Sequence, residues 1–159
     1  MADYTKKLAR AAGKHGGTPY GDMVAYEYSL ATSAAGIPLD SDAAAALGTA
    51  DTIKLGIIPA GTRLLDMVAT VSDVFTATST CKLGFAYVDG VDVTAVPQDA
   101  DYFVAALDLN ALAVSRKVNP TRPVTLPKDA YLVLDLDVAA LAAAGQLDVV
   151  VIGQMVGTI

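Results

Sequence analysis

The chain has 159 residues and a mass of 16.3 kDa, which is one domain and too little for two ordinary cores. Hydrophobic residues make up 53% and charged ones 18%, which excludes an intrinsically disordered chain, and a single cysteine and a single histidine exclude an intrachain disulfide and multi-cysteine or multi-histidine metal centres. A formal charge of −6 and a pI near 4.5 argue against nucleic acid as the main ligand, because phosphates need a basic face.

Residues 1–21 read as an extended basic arm. Gly13, Gly16, Gly17 and Gly21, with Pro19, interrupt any regular element there, although KKLARAA permits a short helical turn over Tyr4 to Ala12. Residues 1–20 carry Lys6, Lys7, Arg10 and Lys14 against Asp3, a net of +3, while the rest of the chain carries 7 basic and 16 acidic groups, a net of −9. A basic tail on an acidic body is either a solubilising segment or an arm that grips an acidic partner.

From residue 22 onward the period is that of strands. Met23 to Leu30 is the first, with Tyr26 and Tyr28 on one face. The run DSDAAAALG, 40–48, is a connection whose four alanines permit one helical turn. Thr52 to Ile58 is a strand ended by Pro59-Ala60-Gly61, a turn signal. In Thr62 to Ser72 the alternation places Leu65, Met67, Ala69 and Val71 on the core face. Cys81 to Val88 aligns Cys81, Leu83, Phe85 and Tyr87, and Asp89-Gly90 follows as a hairpin turn pair.

Between Val91 and Val118 the pattern is weaker, and Asp101 to Leu107 reads as either a strand or a helical turn. Ala130 to Val138 presents Leu132, Leu134, Leu136 and Val138 as one apolar face, and Leu147 to Val156 is the closing strand. Seven or eight short strands joined by Gly, Pro and Asp turns predict an all-β chain: an antiparallel β-sandwich, jelly-roll-like, spanning 22–159 behind an arm of 1–21.

The candidate chemistry is thin. His15 lies in the glycine-rich stretch KHGG, a poor place to hold a catalytic base. Cys81 falls on the core face of its strand, where a structural thiol is expected; Lys82 beside it points to the other face. Asp135 and Asp137 share a strand face, but no tryptophan exists to line a glycosidase groove. Asp40, Asp42 and Asp51 lack the spacing of an EF-hand loop, and no phosphate-cradling loop is present. The expectation is a non-enzyme without a cofactor. The most apolar stretch, Tyr131 to Ala144, is interrupted by two aspartates and too short to span a bilayer. No signal peptide is visible, so a chain that is cytosolic when made is expected.

ADTIKLGIIPAGTRLLDMVATVSDVF, residues 50–75, resembles a pattern in small structural proteins of tailed bacteriophages, in which one strand ends in P-A-G and the next begins T-R-L-L-D. The strand CKLGFAYVDG and the ending KDAYLVLDLDVAALAAAGQLDVVVIGQMVG fit the same pattern, so the resemblance covers about residues 22–157. It implies a capsid decoration or cement protein on the virion exterior, where a rigid sandwich suits bridging subunits of the major capsid protein; 53% hydrophobic residues with no membrane span add the expectation of a homotrimer. Residues 1–21 match no such pattern. Within them Tyr4, Lys6, Lys7, Leu8, Arg10, Lys14 and Tyr20 are the candidate contacts to the capsid or to a neighbouring copy, cations for charge and the other three for apolar area. The alternative is a head-fibre or adhesive module recognising a host glycan. Its mark would be aromatic residues in loops, whereas Tyr26, Tyr28, Tyr87, Tyr102 and Tyr131 fall in predicted strands.

Overall fold

The computed structural model describes residues 3–5 and 23–157. Among these the chain forms strands and loops without a helix. The strands are β1 (Asp3–Thr5), β2 (Met23–Thr32), β3 (Thr52–Ile58), β4 (Thr62–Asp73) and β5 (Thr80–Tyr87). They continue with β6 (Asp99–Asp108), β7 (Ala113–Arg116), β8 (Ala130–Leu136) and β9 (Gly145–Met155). The period-two runs become strands because each puts a row of large apolar side chains on one face, which only a second sheet can cover.

Two sheets result, one ordered β1-β3-β8-β5-β6 and the other β2-β9-β4-β7. All pairings are antiparallel except the short parallel one of β1 on the edge of β3. Only β5 and β6 are consecutive neighbours in one sheet; every other connection crosses between sheets, which is the jelly-roll-like winding expected. A single core joins both inner faces, with Tyr26, Leu30, Met67, Val149 and Val151 from one sheet against Ile53, Leu83, Phe85, Leu132 and Leu134 from the other.

Several local readings are corrected. Asp3–Thr5 is a strand, not part of a helical turn. Residues 40–48 form turns and bends rather than a helix. Asp101 to Leu107 lies inside β6, whose pairing with β5 shifts register twice, so its alternation is broken and its sequence ambiguous. In β4 a register shift between Leu64 and Asp66 turns Leu64, not Leu65, into the core, while Met67, Ala69 and Val71 face inward as predicted. Val138 lies past the end of β8 and is exposed.

The crossovers give the sandwich two ends. One end holds the β3–β4 turn, the loop 88–98, the segment 117–129 and the end of β9. Here Gly61 N–H bonds to Leu126 O at 2.8 Å and Val88 N–H to Asp129 O at 3.1 Å. The other end holds the loops 33–51, 74–79, 109–112 and 137–144. Here Leu141 N–H bonds to Leu47 O at 2.9 Å and Phe75 N–H to Leu109 O at 3.0 Å.

Candidate functional site

The residues singled out for chemistry are dispersed. Cys81 is a free thiol, fully buried on β5, and burial followed by the charge of Asp135 pushes its pKa up. The thiolate form is therefore disfavoured. Asp135 accepts a 2.5 Å hydrogen bond from the Thr52 hydroxyl, whereas Asp137 pairs with Lys82 at 3.7 Å. Each carboxylate has its own partner. Asp51 accepts a hydrogen bond from Gly48 N–H at 2.9 Å, and no group of three metal-ligating side chains occurs among the described residues. His15, Lys6, Lys7, Leu8, Arg10, Lys14 and Tyr20 lie outside the described residues. Tyr4 is placed by its backbone, opposite Ile53 of β3.

A groove lies at the first end of the sandwich. Its floor is Phe85 and Tyr102, whose rings meet edge to face at 5.5 Å. One wall is the loop 88–98. Asp92 accepts hydrogen bonds from Val93 N–H and Gln98 N–H at 2.9 and 2.7 Å. The Gln98 side chain accepts one from Tyr87 N–H at 2.8 Å, and the Tyr87 hydroxyl donates to Val96 O at 2.6 Å. Lys128 clamps the rim, pairing with Asp89 at 2.8 Å and donating to Val91 O at 2.7 Å.

The other wall is the segment 117–125. The Thr121 hydroxyl donates to Tyr102 O at 3.2 Å, the Tyr102 hydroxyl donates to Arg122 O at 3.0 Å, and Leu64 N–H bonds to Val124 O at 2.8 Å. Lys117 sits 4.0 Å above the Tyr102 ring. Pro120 and Pro123 fix the backbone on both sides of Arg122. A loop tied at so many points is a preorganised surface.

The walls enclose a cavity of about 340 Å³ on one side of Arg122 and an adjoining one of about 410 Å³ on the other. Val96, Arg122 and Val124 line both, so the two are a single groove, and Arg63 closes its far end. Asp99 also lines it; burial, then the neighbouring Asp101, pushes its carboxyl above the usual range.

The charges of the body isolate this groove. Lys82, Arg116 and Lys128 are ion-paired with Asp137, Asp66 and Asp89. Lys54 and Lys117 stand over the rings of Tyr131 and Tyr102. Neither Arg63 nor Arg122 donates a side-chain hydrogen bond or meets a carboxylate among the described residues, and both line the groove. Sequence reasoning passed over this pair. Its only local signal is NPTRP, 119–123, where two prolines bracket an arginine. That Arg63 lies beside this segment follows from the isolated bridge between Arg63 and Thr125, a contact 62 positions apart that no local pattern encodes.

No protein-family model matches the chain, and no curated protein matches it. Among solved structures, the fold is similar to a chain in the capsid of Ralstonia phage GP4. The TM-score is 0.64 at 18% identity, covering 99% of this chain and 100% of that one. It is also similar to a chain in the capsid asymmetric unit of cyanophage Pam1, with a TM-score of 0.59 at 16% identity, covering 94% of this chain and 96% of that one. At these identities the likeness establishes the fold, and it extends over nearly the whole length of both partners.

Proposed function

We propose that this chain is a virion structural protein that decorates the outer surface of a tailed-phage capsid and bridges subunits of the major capsid protein. The observation that carries the reading is the end-to-end match of its sandwich to a chain of the GP4 phage capsid. The physical design supports it. Winding nearly every connection between the sheets ties the two faces together, and 53% hydrophobic residues supply a continuous core. A rigid body of this kind, repeated by the symmetry of a shell, turns weak contacts into strong attachment through avidity. The protein is read as a non-enzyme that acts as a homotrimer, with the basic arm of residues 1–21 as a further contact to acidic neighbours. In that arm Arg10 pairs with a carboxylate through its planar fork, Lys6, Lys7 and Lys14 add screened attraction, and Tyr4, Leu8 and Tyr20 add apolar area.

The glycan-binding alternative has little support. Sugars stack on exposed aromatic faces, and among the described residues 23–157 every aromatic side chain is buried except Tyr131, which is half-buried with Lys54 over its ring. The test is cosedimentation of the purified protein with capsids that lack it, at physiological salt. The full chain pellets with the shells, and a chain without residues 2–20 stays folded and pellets less. A full chain that stays in the supernatant contradicts the reading.

A further inference from the structure

We propose that the groove between Arg63 and Arg122 receives the opposite end of the sandwich of a second copy of this chain. The inference rests on the homo-oligomer proposed above and names the two surfaces that form it.

The opposite end is acidic. Gln146 of β9 lies opposite both Ala31 and Asp73, Thr80 lies opposite Asp108, and Asp137 N–H bonds to Thr80 O at 3.0 Å. Leu39 N–H bonds to Ala31 O at 2.8 Å, which brings Asp40 to the same end. Lys82, the cation close by, is already paired with Asp137. Asp40 and Asp73 have no partner among the described residues.

This end is also apolar in a patterned way. Leu39, Val74 and Val138 are 47%, 39% and 59% exposed, and each is the sequence neighbour of an aspartate: Asp40, Asp73 and Asp137. Three aliphatic–carboxylate pairs on one end meet their complement at the other, where two unpaired guanidiniums flank a groove walled by Val96, Pro97 and Val124. Association would pair the free charges of both ends and cover the exposed aliphatic groups together.

The spacings agree. Arg63 lies opposite Thr125, so Arg122 is three residues along an extended segment, about 10 Å away. Ala31 and Asp73 are two strand spacings apart, also about 10 Å, with Asp40 beside the first. The two surfaces differ, so the contact is head to tail. Such a contact is not that of a two-fold dimer: it closes into a ring only where the rotation between copies permits, and otherwise stacks copies end on end.

The experiment is sedimentation velocity on the full chain at low and physiological salt, with R63E/R122E, the conservative R63Q/R122Q, and D40K/D73K. Circular dichroism confirms that each variant is folded. The wild type self-associates, less so as salt rises. Each charge reversal weakens association by about tenfold or more, and the neutral pair weakens it by less. An equimolar mixture of R63E/R122E with D40K/D73K regains association, because the reversed ends complement each other. A monomeric wild type at high micromolar concentration overturns the inference while leaving capsid cosedimentation to decide the proposed function. Association unchanged in R63E/R122E or R63Q/R122Q overturns the placement. Loss of capsid binding with self-association intact shows that the groove takes a different capsid component, and equally overturns it.

Discussion

The Tyr28 hydroxyl donates a hydrogen bond to the Ile57 carbonyl at 2.9 Å and so ties β2 of one sheet to β3 of the other. The side chain is only 5% exposed, and its neighbour Tyr26 sits 3.2 Å, oxygen to oxygen, from the Thr62 hydroxyl. The apolar bodies of these tyrosines fill the core while their tips satisfy polar groups that a sandwich edge would otherwise strand. Tyr28→Phe keeps the ring and removes the tie. It should cost about 1–2 kcal/mol, with Tm falling by roughly 2–4 °C for each kcal/mol in a chain of this size. Thermal unfolding of the variant measures this directly.

Gly84 marks the closest approach of β5 to β6. A Cβ there would stand 2.0 Å from the Asp99 carbonyl oxygen and 2.4 Å from the Ala100 carbonyl carbon, both backbone atoms that cannot swing away. Gly84→Ala should destabilise the fold by about 1–3 kcal/mol through overpacking. At Gly90 a Cβ would meet nothing within 4 Å, but φ is +69°, so Gly90→Ala should cost about 1 kcal/mol of backbone strain. Denaturant titration of the two variants checks the order; a larger loss at Gly90 contradicts the packing described.

Alkaline pH should unfold the protein. Burial pushes Cys81 and Tyr28 above their ordinary values of 9.0 and 10.0, with Asp135 and Tyr26 as the second causes. A group whose pKa is raised on folding contributes stability below its unfolded value and loses it as pH rises past that value. These two groups therefore add no pH dependence up to about pH 9, and above it stability should fall by up to about 1.4 kcal/mol per pH unit for each group that ionises only in the unfolded chain. Cys81→Ala should remove the part of the decline that begins near 9.0. Urea denaturation across this range provides the measurement, and a decline of the same onset and slope in the variant would show that Cys81 is not its source.

The bulge in β4 makes adjacent leucines unequal. Leu64 is fully buried and Leu65 is not. Leu64→Ala should cost about 2–5 kcal/mol, and Leu65→Ala about 1 kcal/mol or less. Equal losses would place both on the same footing and contradict the register shift between Leu64 and Asp66.

What the sequence revealed, and what it hid, follows from the range of the interactions involved. The sequence pattern of Thr52–Ile58 carries its observed ends, and the inward rows Cys81-Leu83-Phe85-Tyr87 and Leu132-Leu134-Leu136 match the structure. Each is a plain alternation of large apolar groups ended by turn residues. Plain alternation puts Leu64 on the wrong face because a bulge inserts a residue, and nothing local to the strand announces one. β7 was missed because it has only four residues, AVSR, with Val114 and Arg116 exposed, so no apolar row betrays it. β1 was missed because its three residues pair with β3 some fifty positions away. The groove was illegible for the same reason: its two arginines are 59 positions apart, and they share a surface only because the segment after Pro120 folds back beside the start of β4.

The proposed function requires attachment to the outside of a capsid. High-resolution imaging of the purified virion, with the protein identified by a labelled antibody fragment, tests it most directly. The expected result is sandwich-shaped density at symmetry-related positions on the outer face of the shell, with each copy touching more than one major capsid subunit. Absence of the protein from the virion, or label confined to the tail or the capsid interior, would contradict it.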